Sequence, residues 1–82
     1  GYDARVEDIS SAGALLTTAA EIVAHAAVAV RFPLPMSGLV VTVDAMTRWV
    51  KTRGTTHVVG LEFVRPSAEV RREIDAFSTL RD

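Results

Sequence analysis

Apolar residues recur at every second position over most of this chain, and at helical spacing only near its end. Val28, Val30 and Phe32 alternate with Ala29 and Arg31, the period of a half-buried strand. In the next run Leu39, Val41, Val43, Ala45 and Trp49 fall on one face, and Thr42, Asp44 and Arg48 on the other. Val59, Leu61 and Phe63 form the inward face of a return strand. Lys51-Thr52-Arg53-Gly54 between them reads as a hairpin turn, with Gly54 free to take positive φ. Ahead of these, Ala4 to Ile9 reads as a short strand, Ser10-Ser11-Ala12-Gly13 as a tight connection, and Ala14 to Thr18 as a second strand. Ala19 to Ala27 is alanine-rich and helix-prone, but its neighbours are β-like, so a loop or irregular strand is predicted. Pro33, Pro35 and Gly38 punctuate a turn.

After Pro66 the period changes. Val70, Ile74 and Phe77 stand at i, i+4 and i+7, Ser67 is a suitable N-cap, and Glu69 lies in the first turn. An amphipathic helix over residues 68 to 80 follows, with Arg71, Arg72 and Asp75 outside. Strands followed by one terminal helix predict a mainly β fold: a small antiparallel barrel with the helix packed on it.

The chain has 82 residues, which suits a single domain spanning 1 to 82 with a thin stability margin. About half of it is hydrophobic (49%) and 23% is charged, which argues against disorder. Its longest apolar stretch, Ile22 to Val30, is too short to span a bilayer and contains His25. The start, Gly1-Tyr2-Asp3, has no signal-peptide character. With no cysteine, disulfides, thiolate zinc sites and cysteine catalysis are excluded, and a reducing compartment such as a cytoplasm fits. Nine basic residues nearly balance ten acidic ones, so a general nucleic-acid binder is not expected. Only Tyr2, Trp49 and three Phe are available for stacking on bases. Eight of the nine basic residues are arginine, which suits bidentate phosphate or base-edge contacts at a local site.

The most informative text is Asp8-Ile9-Ser10-Ser11-Ala12-Gly13, of the form Asp-x-Ser-x-x-Gly directly after a strand. Downstream stand Phe32-Pro33-Leu34-Pro35, a long strand reaching Trp49, then Val59-Gly60-Leu61-Glu62-Phe63, then a helix. This series resembles the PilZ domain family along nearly the whole chain. The resemblance implies a six-stranded antiparallel barrel of split-barrel type with a C-terminal helix. It also implies a bacterial, cytoplasmic regulatory domain that binds the second messenger cyclic di-GMP and is not an enzyme. In that family Asp/Asn-x-Ser-x-x-Gly holds the ligand, which maps onto Asp8, Ser10 and Gly13. A second family motif, Arg-x-x-x-Arg, normally precedes the first by about a strand and a linker. It is not found between Gly1 and Asp8, where Arg5, inside the strand, is the one arginine and is taken with Trp49 as a further candidate ligand contact. Two explanations stand: a piece whose arginine arm and first strand precede it, or a degenerate member that acts through protein contacts. The second would leave a sheet edge exposed to strand addition or homodimerisation.

The missing arginines favour the second, and the chemistry of the matched residues stands apart from that choice. A cyclic dinucleotide offers two phosphates and two guanine faces. Asp8 can accept from guanine N1–H and N2–H₂, and Ser10 can donate to a phosphate or carbonyl oxygen. Gly13 permits close backbone approach or a left-handed turn. Charge-assisted bonds contribute about 1.5–3 kcal/mol each, so a lost two-arginine clamp would remove most of the roughly 8 kcal/mol of micromolar binding.

Each candidate also has a plainer role. Asp8 and Ser10 can close a turn by bonding nearby amides, and Gly13 can be a turn glycine. Trp49 at a strand end can belong to the core or rim rather than flank a ligand. Gly60 is taken as a bulge rather than a point of ligand approach. Arg48, Lys51 and Arg53 fit a solvated turn, or an anion or partner patch. His25 and His57 have no neighbouring ligand set, so neither metal nor cofactor is expected. No nucleophile-elbow pattern supports hydrolysis. The helix reads as a lid on the barrel that could also meet a protein partner.

Overall fold

The structure is a computed structural model describing residues 3–81, with side-chain surroundings through Phe77; Tyr2 lies outside the described residues. Five strands and a helix follow in order: β1 (Arg5–Ile9), β2 (Gly13–Thr18), β3 (Ala27–Pro33), β4 (Val40–Arg53), β5 (Thr56–Phe63) and α1 (Ala68–Arg81). The strands form one antiparallel sheet in the order β1-β2-β5-β4-β3. The sheet curls into a half-barrel, so the mainly β fold with a terminal helix is as expected. Among the described residues it has five strands rather than the six that the resemblance implies, with β1 and β3 at its two edges. Between these edges opens an apolar cavity of about 480 Å³, reached by Val6, Val28 and Val30.

Alternation sends Leu16, Val43, Ala45, Val59, Leu61 and Phe63 to the concave side, where they are buried. Phe32 and Phe63 stack there with ring centroids 5.9 Å apart. Val70 and Ile74 close that core from α1, one turn apart on one helix face. Each such side chain contributes about 1.5–3 kcal/mol through burial. The helix begins where expected, because Ser67 Oγ accepts the Val70 amide at 3.2 Å.

Period two fails inside β4. Thr47 faces Leu61 and Trp49 faces Gly60, leaving Arg48 as the extra residue of a bulge. Inward positions are odd-numbered up to Thr47; beyond it Val50 faces in. Trp49 therefore does not share a face with Val41, Val43 and Ala45, as strict alternation predicts. It points outward and is 47% exposed. Leu39 likewise lies ahead of β4, exposed in the turn, rather than on the inward face.

The loop from Ala19 to Ala26 is irregular, as its β-like neighbours suggest, with His25 at a φ of +61°. It is pinned by a residue outside both faces assigned from the sequence. Fully buried Thr47 donates its hydroxyl to the Val23 carbonyl at 2.7 Å and accepts the Ala26 amide at 2.8 Å. The β3–β4 turn is tied to the helix in a similar way. Glu73 Oε1 accepts the Met36 amide at 2.9 Å and the Ser37 amide as well, while Ser37 Oγ donates to Oε2 at 3.0 Å. Between β4 and β5 the turn is only Gly54-Thr55: Lys51, Thr52 and Arg53, read from the sequence as turn residues, pair with Val58, His57 and Thr56 and extend β4, while the positive φ does fall at Gly54 (+60°).

Candidate functional site

The register of four strands sets one row of residues side by side: Asp8 on β1, Leu15 on β2, Gly60 on β5 and Trp49 on β4. The flanking row, Ile9, Ala14 and Leu61, packs on the core, so the Asp8 row lies on the outer face. With strands about 4.8 Å apart, this row spans about 14 Å. A hollow of about 370 Å³ sits over it, within the usual size of ligand sites. Asp8, Ser10, Gly13 and Trp49, separated by up to 41 positions, all line it.

Arg5 is not brought there. It pairs with Thr17 farther along the sheet and lines a separate shallow hollow with Thr18 and Thr56. Its side chain is 83% exposed, with Nε 3.4 Å from Glu7.

The loop at the hollow's edge is a tight hairpin. Ser10 and Gly13 exchange backbone hydrogen bonds of 2.8 and 3.3 Å around Ser11 and Ala12. Asp8 Oδ1 accepts the Ile9 amide at 2.9 Å, and Ser10 Oγ accepts the Ala12 amide at 3.3 Å. Both side chains thus shape the turn locally, as the plainer reading holds. Gly13 has no positive φ; it opens β2, where a Cβ would lie 2.0 Å from the Leu61 carbonyl oxygen. Glycine is required here by the close approach of two backbones. At Gly60 the constraint is different from the bulge expected there. The bulge is opposite, in β4, and a Cβ on Gly60 would stand 2.4 Å from the Trp49 indole. The ring lies across Gly60 and forms the far wall of the hollow.

Two further residues line this site: Arg48, which the sequence offered only as part of a solvated turn or an anion or partner patch, and Glu62, which it did not single out. Arg48, the bulged residue, and Glu62 meet in a bidentate ion pair on the hollow's rim. Arg48 Nη2 donates to Glu62 Oε1 at 2.7 Å and Nε to Oε2 at 3.2 Å. These hydrogen bonds, with the attraction between the charges, raise the Arg48 pKa and lower that of Glu62. A regular strand would turn Arg48 and Trp49 to opposite faces; the bulge gives both to the outer one. No periodicity in the sequence announces that.

Among the described residues no group of three or more His, Asp or Glu could hold a metal ion, and no helix is long and apolar enough to cross a membrane. Neither the curated proteins nor the solved structures contain a significant match to the chain. The family model described as the PilZ domain, however, matches residues 1–80, nearly the whole sequence and every element of the half-barrel. By that match the chain belongs to the PilZ domain family.

Proposed function

We propose that this chain is a cyclic di-GMP receptor domain of a bacterial, cytoplasmic signalling protein, and that the hollow on the outer sheet face takes the nucleotide. The observation that carries this reading is the convergence of Asp8, Ser10, Gly13 and Trp49 on one hollow of ligand size. Asp8 accepts from the Watson–Crick edge of a guanine. The Ser10 hydroxyl, accepting from the Ala12 amide, keeps its own proton to donate to a phosphate oxygen. Trp49 offers a purine an exposed aromatic face. Gly13 keeps the floor free of side chain where β2 and β5 meet. Such a site binds and reports; the chemistry of none of these groups calls for turnover. Calorimetric titration of cyclic di-GMP tests it, in this chain and in any longer version its reading frame provides ahead of Gly1. Binding that falls at least tenfold in Asp8→Ala and Ser10→Ala supports the reading. No binding by either version refutes it.

A second reading has its own observation. The edges β1 and β3 flank an apolar opening, and unpaired edges accept strands from partners. In that reading the domain works through protein contacts or as a homodimer without nucleotide. Light scattering that shows a strict monomer at high concentration counts against the homodimer.

A further inference from the structure

The hollow has a charge problem for an anionic ligand. Its lining carries two carboxylates, Asp8 and Glu62, and one cation, Arg48. Arg48 is already committed, through two of its nitrogens, to Glu62. A phosphodiester arriving at this surface meets a neutralised arginine and a carboxylate. Yet Arg48 occupies a place that the fold had to make specially. It is the extra residue of the β4 bulge, set on the outer face next to the Trp49 ring. Bulges recur beside binding sites because they re-aim a side chain. Both partners of the pair are about half exposed, 49% for Arg48 and 55% for Glu62. Ion pairs this open to water are weak, so exchanging one carboxylate for another anion costs little. A guanidinium matches a phosphate as well as it matches a carboxylate, in the same two-pronged geometry.

We propose that Arg48 is the phosphate-binding cation of this hollow and that Glu62 cages it, so that nucleotide and Glu62 compete for the same guanidinium. The proposal rests on the receptor reading and deepens it. The site holds its arginine in a parked position, and ligand capture moves the guanidinium from Glu62 to a phosphate oxygen beside the indole. Glu62 then acts as a brake on affinity rather than as a contact, and the occupied domain differs from the empty one by a carboxylate released to solvent on the outer face.

Trp49 is the one tryptophan of the chain and stands beside the pair, so its fluorescence follows occupancy directly. Cyclic di-GMP is titrated into the wild type, Glu62→Gln, Arg48→Ala and the double variant, with circular dichroism confirming that each is folded. Arg48→Ala is expected to weaken binding about tenfold or more, the size of a lost charge-assisted contact. Glu62→Gln is expected to tighten it by about threefold to tenfold, which a merely structural ion pair would not do. The double variant separates uncaging from simple removal of a negative charge. If Glu62 acts through Arg48, adding Glu62→Gln to Arg48→Ala gives no gain; a gain of the same size in both backgrounds overturns the cage. Equal affinity in all four proteins overturns the inference while leaving the receptor reading intact. Absence of binding in all four, Glu62→Gln included and in the version extended ahead of Gly1 as well, removes both.

Discussion

Replacing Thr47 by valine removes one buried oxygen and leaves the side-chain shape unchanged. Its consequence can be worked from two hydrogen bonds. The Thr47 hydroxyl donates to the Val23 carbonyl at 2.7 Å and accepts the Ala26 amide at 2.8 Å. Valine can serve neither group. An unsatisfied buried polar group costs about 1–3 kcal/mol. Val23 itself is 71% exposed, so the lower half of that range applies to each, and the sum is about 2–4 kcal/mol. A domain of this length has about 4–12 kcal/mol in total at 0.05–0.15 kcal/mol per residue. At about 4–8 °C per kcal/mol, the thermal midpoint of Thr47→Val should fall by about 10–30 °C. Thr47→Ser is the discriminating control. It keeps the oxygen and loses one methyl, about 0.8 kcal/mol, so it should be the milder change although it is the more polar residue. Thermal and urea unfolding followed by circular dichroism measure both. A valine variant within about 3 °C of wild type, or a serine variant worse than valine, would refute the account of the 19–26 loop as held by this hydroxyl. The loop also holds β4 next to its bulge, through the Thr47 amide to the Ala26 carbonyl at 2.9 Å, so Thr47→Val should also broaden Trp49 fluorescence.

Gly60→Ala would place a Cβ 2.4 Å from the Trp49 indole, at least 1.0 Å inside ordinary contact at 3.4 Å. The exposed ring should swing away, red-shifting its emission and, under the proposed receptor function, weakening nucleotide binding, while costing about 1–3 kcal/mol or less of stability; an unchanged spectrum would show that the ring does not rest there. Ile74→Ala empties a fully buried position of α1 and should cost about 2–5 kcal/mol in urea unfolding, with the helix edge of the core loosened first. The hydrogen bond from the Ser37 amide, helped by those from the Ser37 hydroxyl and the Met36 amide, holds the Glu73 carboxyl below its ordinary value, against the opposing effect of desolvation. A lowered folded pKa means stabilisation that is complete above the ordinary glutamate value of about 4.3 and is lost as pH falls through the lowered one. Glu73→Gln should therefore flatten the acid limb of the stability curve below about pH 5, and identical pH profiles for the two proteins would contradict this.

The strands and the helix were legible along the chain because each follows from nearest neighbours. Period-two runs mark β3, β4 and β5, Ser67 with Val70, Ile74 and Phe77 marks α1, and Gly54 marks the β4–β5 turn. These depend on which side chains must avoid water and on local backbone freedom, both of which are written in order along the sequence. Asp8, Ser10 and Gly13 stood out along the chain as a spaced motif, and the structure sets them at one hollow, where their hydrogen bonds serve the turn they sit in.

What periodicity could not carry was the consequence of one extra residue. A bulge has no signature in alternation until a partner strand shows which residue is left over, and here that strand is β5, whose Leu61 and Gly60 face Thr47 and Trp49. Only that pairing moves Trp49 from the inward face to the outer one, explains Gly60 as the space beneath an indole, and sets Arg48 against Glu62, 14 residues away. Thr47 and Glu73 eluded the sequence for the same reason: their hydrogen-bond partners lie 21 to 37 positions distant and exist only once the chain has closed on itself. The sequence by itself thus determined the kinds of element and their order, through local burial and backbone preference. The tertiary structure decided which side chains share the outer hollow, because register between distant strands is a property of their pairing and not of either strand alone.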